Sequence, residues 1–497
     1  MRLSIGFVLL VGMQSGCSVY HKLIPIDGGT DMSCGDACTT PDMLPCSGNC
    51  GDMAPKCTSS STCPSTAPVC EASGVCGACE SSVAGGVSTE CSTYHASGNP
   101  STPLCGPAGA CVQCLSKDDC ATFNQTCNLT TNECGPCATN SDCSTGVCAS
   151  AGACAPATDV FYVDNRGAAT VAACKAAHLT ADGTSWANAF CDISDATGAT
   201  TKRPYIVVRG SATAYGALSF TTTATQTIIG PGHEASPTAL VFTPTLSPAV
   251  SVSPAAGQTV TLTLDGLELS GSSGTGNQRA GVSCSGTAGT AALTIKNSRL
   301  DNSGSSGLDS TACTVTLDAN VISTNSGGGI SLASGSFVVS NNLIVANGNA
   351  GPGVVLSGNF TSTLWWFNTV AGNLRSGAQA GAFSCGGVLS GAPAIEASIV
   401  WGNTSAGGSS IGTGCTFTYS DVDDTMLPAG AGNFNSDPKF VDAAASNYRI
   451  QTGSPCANKV TSATGLAGGA LPNHDVDGKA RPRAATSGYD CGAAQAP

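Results

Sequence analysis

The fold class predicted is all-β, a solenoid of stacked parallel strands (a parallel β-helix) preceded by a disulfide-rich repeat region. Three observations carry it: a seven-fold spacing repeat between Leu264 and Val422, twenty cysteines between Cys34 and Cys154, and a glycine-rich, charge-poor composition.

The repeat comes first. Let Leu267, Ser298, Asn320, Asn342, Asn368, Ser398 and Ser420 be reference positions. Three residues before them stand Leu264, Ile295, Leu317, Val339, Trp365, Ile395 and Phe417, and two after stand Leu269, Leu300, Ile322, Ile344, Val370, Val400 and Val422. Both columns are apolar throughout. Five after come Ser272, Ser303, Asn325, Asn347, Asn373, Asn403 and Thr425, all small and polar. The copies lie 22 to 31 residues apart, too short for a domain and right for one coil of a solenoid. Before each reference position apolar and variable residues alternate, the period of a strand with one buried face. Coils stacked at the strand spacing of about 4.8 Å align each buried column into an apolar ladder. Stacked asparagines can then pass amide hydrogen bonds from coil to coil and satisfy the turns.

Composition agrees. Of 497 residues only 10% are charged and 63 are glycine, against roughly 25% and 7% in an ordinary soluble domain, so turns are favoured and helix is not. The net charge of -13 repels phosphate backbones and excludes nucleic acid as the expected partner.

Met1-Arg2, the apolar run Ile5 to Met13 and Gln14-Ser15-Gly16-Cys17 read as an export signal, and the run is too short to span a bilayer. It resembles a bacterial lipoprotein signal. That resemblance implies removal of residues 1–16, acylation of Cys17 and attachment to a membrane through the lipid, although the family usually has Leu where Gln14 stands. The alternative is an ordinary signal peptide cut nearby. Setting Cys17 aside leaves 28 of the 29 cysteines, an even number suited to disulfides in an oxidising compartment. Residues 17–56 form a polar tether with small Cys loops. Residues 57–154 form four-cysteine units whose junctions are always Cys-x2-Cys. Zinc and redox sites share that spacing, but a junction recurring once per unit marks the seam between disulfide-bonded modules, so no metal is expected. Such short modules need bridges because they cannot bury a core. Their spacing resembles the cysteine-rich repeats that precede surface domains in secreted bacterial proteins.

Residues 159–430 are assigned to the β-helix and 431–497 to a C-terminal end module. Phe161-Tyr162-Val163-Asp164, the stretch Asp182 to Phe190 and Tyr205-Ile206-Val207-Val208 resemble the first coils of a right-handed parallel β-helix of the pectin-lyase-like class. Asp437-Pro438-Lys439-Phe440-Val441-Asp442, Tyr448-Arg449-Ile450, Asp475-x-Asp477-Gly478, Arg481-Pro482 and Asp490-x-Gly492-Ala493 resemble a choice-of-anchor type terminal module of surface β-helix proteins. Together these imply an exported protein anchored at the outer membrane of a Gram-negative bacterium, with Cys456 and Cys491 at positions usually small or apolar in that family.

Register also pairs late cysteines. Cys385 and Cys415 each lie 17 residues after a reference position, and Cys284 and Cys313 lie 17 and 15 after theirs, so each pair is expected to staple adjacent coils. Cys174, Cys191, Cys456 and Cys491 are assigned to disulfides as well.

Two residues before the reference position, on the outward face, stand Asp265, Lys296, Asp318, Trp366 and Glu396, beside the hydroxyls of Thr263, Thr294, Thr316 and Thr416. This is the candidate glycan-binding face; the competing reading is an exposed ion-pair ladder. On this scaffold, lyases resembling pectate lyase cleave acidic polysaccharide with an Arg or Lys base and a calcium-binding carboxylate cluster, and galacturonan hydrolases with several close aspartates, a nearby histidine and basic residues. No histidine falls between residues 260 and 420, so the hydrolase pattern is missing, and a lyase set would need Arg299, Asp301 and Asp318. No catalytic residue is assigned. Asp475-x-Asp477-Gly478 is a candidate calcium loop or a plain turn. The function expected is therefore a surface lipoprotein that binds or scaffolds, toward polysaccharide or another surface protein, with a polysaccharide lyase as the alternative.

Overall fold

The computed structural model describes residues 104–106 and 108–497, apart from 150–151, 243–246, 272–278, 378–379, 409, 461–465, 467–470 and 483–487, together with 63, 67, 69–71, 76–79 and 91. Cys17, the signal segment 1–16 and the tether 17–56 lie outside the described residues.

Thr259–Asp265 shows how sequence makes a coil. Its alternate residues Val260, Leu262 and Leu264 are buried while Thr259, Thr261 and Thr263 face outward. The strand pairs in parallel and in register with Ala224–Ile229 on one side and Thr290–Lys296 on the other. Repeated along the chain, this gives a parallel β-helix with three faces. The first holds Leu218–Phe220, Val250–Val252, Val282–Ser285 and Ser306–Thr311; the second holds Thr259–Asp265, Thr290–Lys296 and Thr314–Asp318; the third holds Glu268–Ser270, Arg299–Asp301, Val321–Ser323 and Leu343–Val345. Gly328–Ser340 and Val354–Trp366 run through the first and second faces without a break, which joins those faces into one 15-stranded sheet. The third face is a separate nine-stranded sheet.

The two apolar columns form the core. Leu264, Ile295, Leu317, Val339, Trp365, Ile395 and Phe417 are all fully buried, as are Leu269, Leu300, Ile322, Ile344, Val370, Val400 and Val422. Each such side chain contributes on the order of 1.5–3 kcal/mol by leaving water.

Between the second and third faces the chain turns within a few residues, and the residue just before every reference position is left-handed: Gly266, Asn297, Ala319, Asn341, Phe367, Ala397 and Tyr419. For residues with a Cβ this conformation costs roughly 1–2 kcal/mol. The offset lies in the next residue, whose side chain points inward and binds the coil beside it. Ser298 N donates to Asn320 Oδ1 (3.0 Å), Asn320 N to Asn342 Oδ1 (3.0 Å) and Asn342 N to Asn368 Oδ1 (2.9 Å); the ladder continues through Ser398 and Ser420 to Asn433. A second ladder runs through Ser303, Asn325, Asn347, Asn373 and Asn403 at the next corner.

In the last three four-cysteine units the first cysteine bonds the third and the second bonds the fourth: Cys79–Cys105 with Cys91–Cys111, Cys114–Cys127 with Cys120–Cys134, and Cys137–Cys148 with Cys143–Cys154. Cys63 bonds Cys76.

The C-terminal residues do not simply close the end of the solenoid. Asn433 caps the first ladder, but the chain then returns along the flank. Gly492 N donates to Ala397 O (2.9 Å), Ala493 N to Thr369 Oγ1 (3.0 Å), and Arg449 reaches Glu234 (2.8 Å) near the start of the helix.

Candidate functional site

The outward column two residues before the reference position continues beyond the repeat. Tyr162, Val207, Ile229, Asp265, Lys296, Asp318, Ser340, Trp366, Glu396 and Thr418 stand in register across ten coils. Two other parts of the chain lie on it. At one end Val147 of the last four-cysteine unit packs with Tyr162, Val207 and Ile229, and Asn140 Nδ2 donates to Asp265 Oδ2 at 3.1 Å. At the other end Trp366 joins Phe367, Ala397, Val460 and Tyr489 in an apolar cluster made with the returning C-terminal segment.

This corrects the reading of the column as an open glycan-binding face. Trp366 is 3% exposed, Glu396 4% and Asp265 6%, because the flanking segments cover them. Trp366 Nε1 donates to Glu396 Oε2 at 3.0 Å, and Thr418 Oγ1 donates to Glu396 Oε1 at 3.3 Å. Lys296 stays open, its side chain 46% exposed and its Nζ 3.3 Å from Asp265.

Asp318 is drawn to the flank. Its carboxylate lies 3.1 Å from His474 Nε2 and accepts from Ser340 Oγ (2.8 Å) and Asn341 Nδ2 (3.0 Å). Burial pushes its pKa up, but the hydrogen bond and charge of His474 outweigh that and hold it below the ordinary carboxylate value. The same hydrogen bond raises His474.

Arg299 and Asp301 stand on the third face, Arg299 Nε 3.3 Å from Asp301 Oδ2. Burial, helped by repulsion from Glu268, pushes Asp301 up to about 6. Thr238 Oγ1 donates to Glu268. Asp318 does not join them, since it belongs to the second face and is held by His474. The three residues a lyase would require are therefore divided between two faces.

His233 Nε2, Glu234 and Asp477 bring three ligand-type atoms within 4.8 Å of one another. Arg449 already occupies the carboxylates, its Nη2 lying 2.8 Å from Glu234 Oε1 and 2.6 Å from Asp477 Oδ1. A cation there would meet a guanidinium, so the geometry is that of an ion-paired clamp. In Asp475-x-Asp477-Gly478 the Asp475 carboxylate accepts the backbone amides of Asp477, Lys479 and Gln495, each at 2.9 Å. Its oxygens close a turn, which argues against the calcium loop.

Cys385 is bonded to Cys415 (Cα–Cα 5.3 Å) and Cys284 to Cys313 (6.4 Å), each bridging adjacent coils. Cys174 bonds Cys191 within the connection between the first two strands of the solenoid, Val160–Val163 and Tyr205–Val208, and Cys456 bonds Cys491 within the returning segment. The cysteine triads of the N-terminal units are all members of bridges.

Fold and site together define a right-handed parallel β-helix protein, and residues 258–422 match the family described as "Right handed beta helix region". A solved structure titled "Crystal structure of pectate lyase Pel9A" is similar at 13% identity with a TM-score of 0.32, covering 68% of this chain and 96% of that one. No curated protein matches the chain.

Proposed function

We propose that this is an exported, lipid-anchored surface protein whose disulfide-rich stalk displays the β-helix, and that the helix binds or scaffolds rather than cleaves. The observation that supports this most is the engagement of the helix's acids. Asp265 is held by Asn140 and Lys296, Asp318 by His474 and Ser340, and Glu396 by Trp366. A hydrolytic or eliminative site needs a base, an acid and a charge stabiliser converging on one point, and these groups are spread along a column and spent on structure. Polysaccharide or another surface protein is the ligand class that suits such a scaffold, and Cys17 is the anchoring residue.

A polysaccharide lyase is the second reading, kept alive by one observation: Arg299 sits against a buried carboxyl of raised pKa, with Glu268 close by. Incubating the purified chain with uronate-containing polymers separates the two. Retention of polymer without unsaturated oligosaccharides supports the binding reading; unsaturated products that disappear in Arg299→Ala replace it with the lyase.

A further inference from the structure

Next to the covered column, the second face carries an open array. Thr225, Thr261, Ala292 and Thr314 stand in one register, and Thr227, Thr263, Thr294 and Thr316 in the next outward one. Four successive coils thus place threonine at seven of eight positions, and Thr259 with Thr290 begins a third column. All are exposed or half-buried, and among the described residues no segment outside the sheet hydrogen-bonds to their hydroxyls. The chain has 32 acidic and 19 basic residues, and none of them falls in these columns.

Parallel strands fix the grid. Neighbouring coils are about 4.8 Å apart and alternate residues along a strand about 6.6 Å apart. Threonine is β-branched and stiff at χ1, so hydroxyls and methyls are held on this grid before any ligand arrives, which lowers the ordering cost of binding. Strand propensity favours threonine but favours valine, isoleucine and tyrosine as well, and none of these three occupies any of the eight positions.

We propose that this face binds ordered water in the form of an ice surface. A protein partner would be met by tryptophan, tyrosine or arginine anchors, among which threonine is under-represented. A sugar would be met by a concave site with an aromatic side chain, and an ionic solid would need charge; the array offers none of these. Waters bridging hydroxyls are held nearly as well as direct partners at small entropic cost, and the intervening methyls order the remaining first-shell water. A periodic hydroxyl grid extends that order in two dimensions, and ice is the solid whose oxygen repeats in a prism plane are comparable. The proposal is independent of the glycan reading.

The test uses the whole purified chain, fluorescently labelled, in contact with a slowly growing ice hemisphere. The wild type should be taken up and should suppress recrystallisation, whereas Thr263→Lys and Thr294→Lys should be rejected to the level of an inert globular control. Ser283→Lys, on the first face, should behave as wild type, with circular dichroism showing that all variants keep their strands. Rejection of the wild type, or uptake of the lysine variants, overturns the proposal. So does retention on microcrystalline cellulose that the same lysines abolish without any uptake into ice, which would give the face to a neutral polysaccharide.

Discussion

Asn342→Ala removes the central rung of the first corner ladder. The side chain is fully buried, its two Nδ2 hydrogens shared among Leu317 O (3.1 Å), Ser340 O (2.7 Å) and Asn368 Oδ1 (2.9 Å), and its Oδ1 accepting from Asn320 N (3.0 Å) and Asn320 Nδ2 (2.9 Å). Three of these partners keep another bond: Asn320 Nδ2 still reaches Ile295 O, Asn368 Oδ1 still accepts from the backbone N–H of residue 342, and Ser340 O still accepts from Ala319 N (3.2 Å). Asn320 N and Leu317 O lose the contact inside a buried corner. At about 1–3 kcal/mol for each buried group left unsatisfied, and with partial relaxation, the loss should total about 2–4 kcal/mol. Guanidinium unfolding followed by tryptophan fluorescence reads it, because Trp365 and Trp366 lie on the adjacent coil and a solenoid can open near the lesion first. Thr261→Ala, on the exposed face, should change stability by no more than about 0.5 kcal/mol. If Asn342→Ala fell within the same range as Thr261→Ala, the ladder would not be what holds the corner.

Trp366→Ala should destabilise the chain by about 3–5 kcal/mol, the cost of truncating a buried aromatic; a change under about 0.5 kcal/mol in the same unfolding experiment would restore an exposed tryptophan. The His474–Asp318 contact should hold the flank in a pH window. His474 is raised, so its contribution is present at lower pH and is lost as pH climbs through its elevated pKa; Asp318 is lowered, so its contribution fails only when pH drops through a value below the ordinary carboxylate. Hydrogen exchange around residue 474 should speed up on both sides of that window, and His474→Gln should abolish the alkaline arm. Metabolic labelling with a fatty-acid probe should mark the wild type and not Cys17→Ala; label retained in full by the variant would remove the anchor.

The coil register was legible because a solenoid places equivalent residues one above another, so that spacing alone aligned Leu264 with Ile295 and Cys385 with Cys415. The corner was less legible. A left-handed residue is expected to be glycine or asparagine, yet Ala319, Phe367, Ala397 and Tyr419 occupy it, so sequence did not mark the turn. The reference column, which reads as mixed serine and asparagine, likewise does not declare itself a ladder in the sequence, although it forms the first one. The burial of Trp366 was hidden by distance along the chain, since Val460 and Tyr489 come from the far side of the last coil. One signal was present: the same column is apolar at Val207 and Ile229, as befits a surface that something covers.

The direct test of the account is non-reduced peptide mapping of the purified chain. The stacked register predicts a peptide carrying Cys385 joined to one carrying Cys415, another joining Cys284 to Cys313, and no free thiol at any of the four. Cys385 linked to a cysteine of the N-terminal units, or alkylated as a free thiol, would contradict the coil register on which every column described above depends.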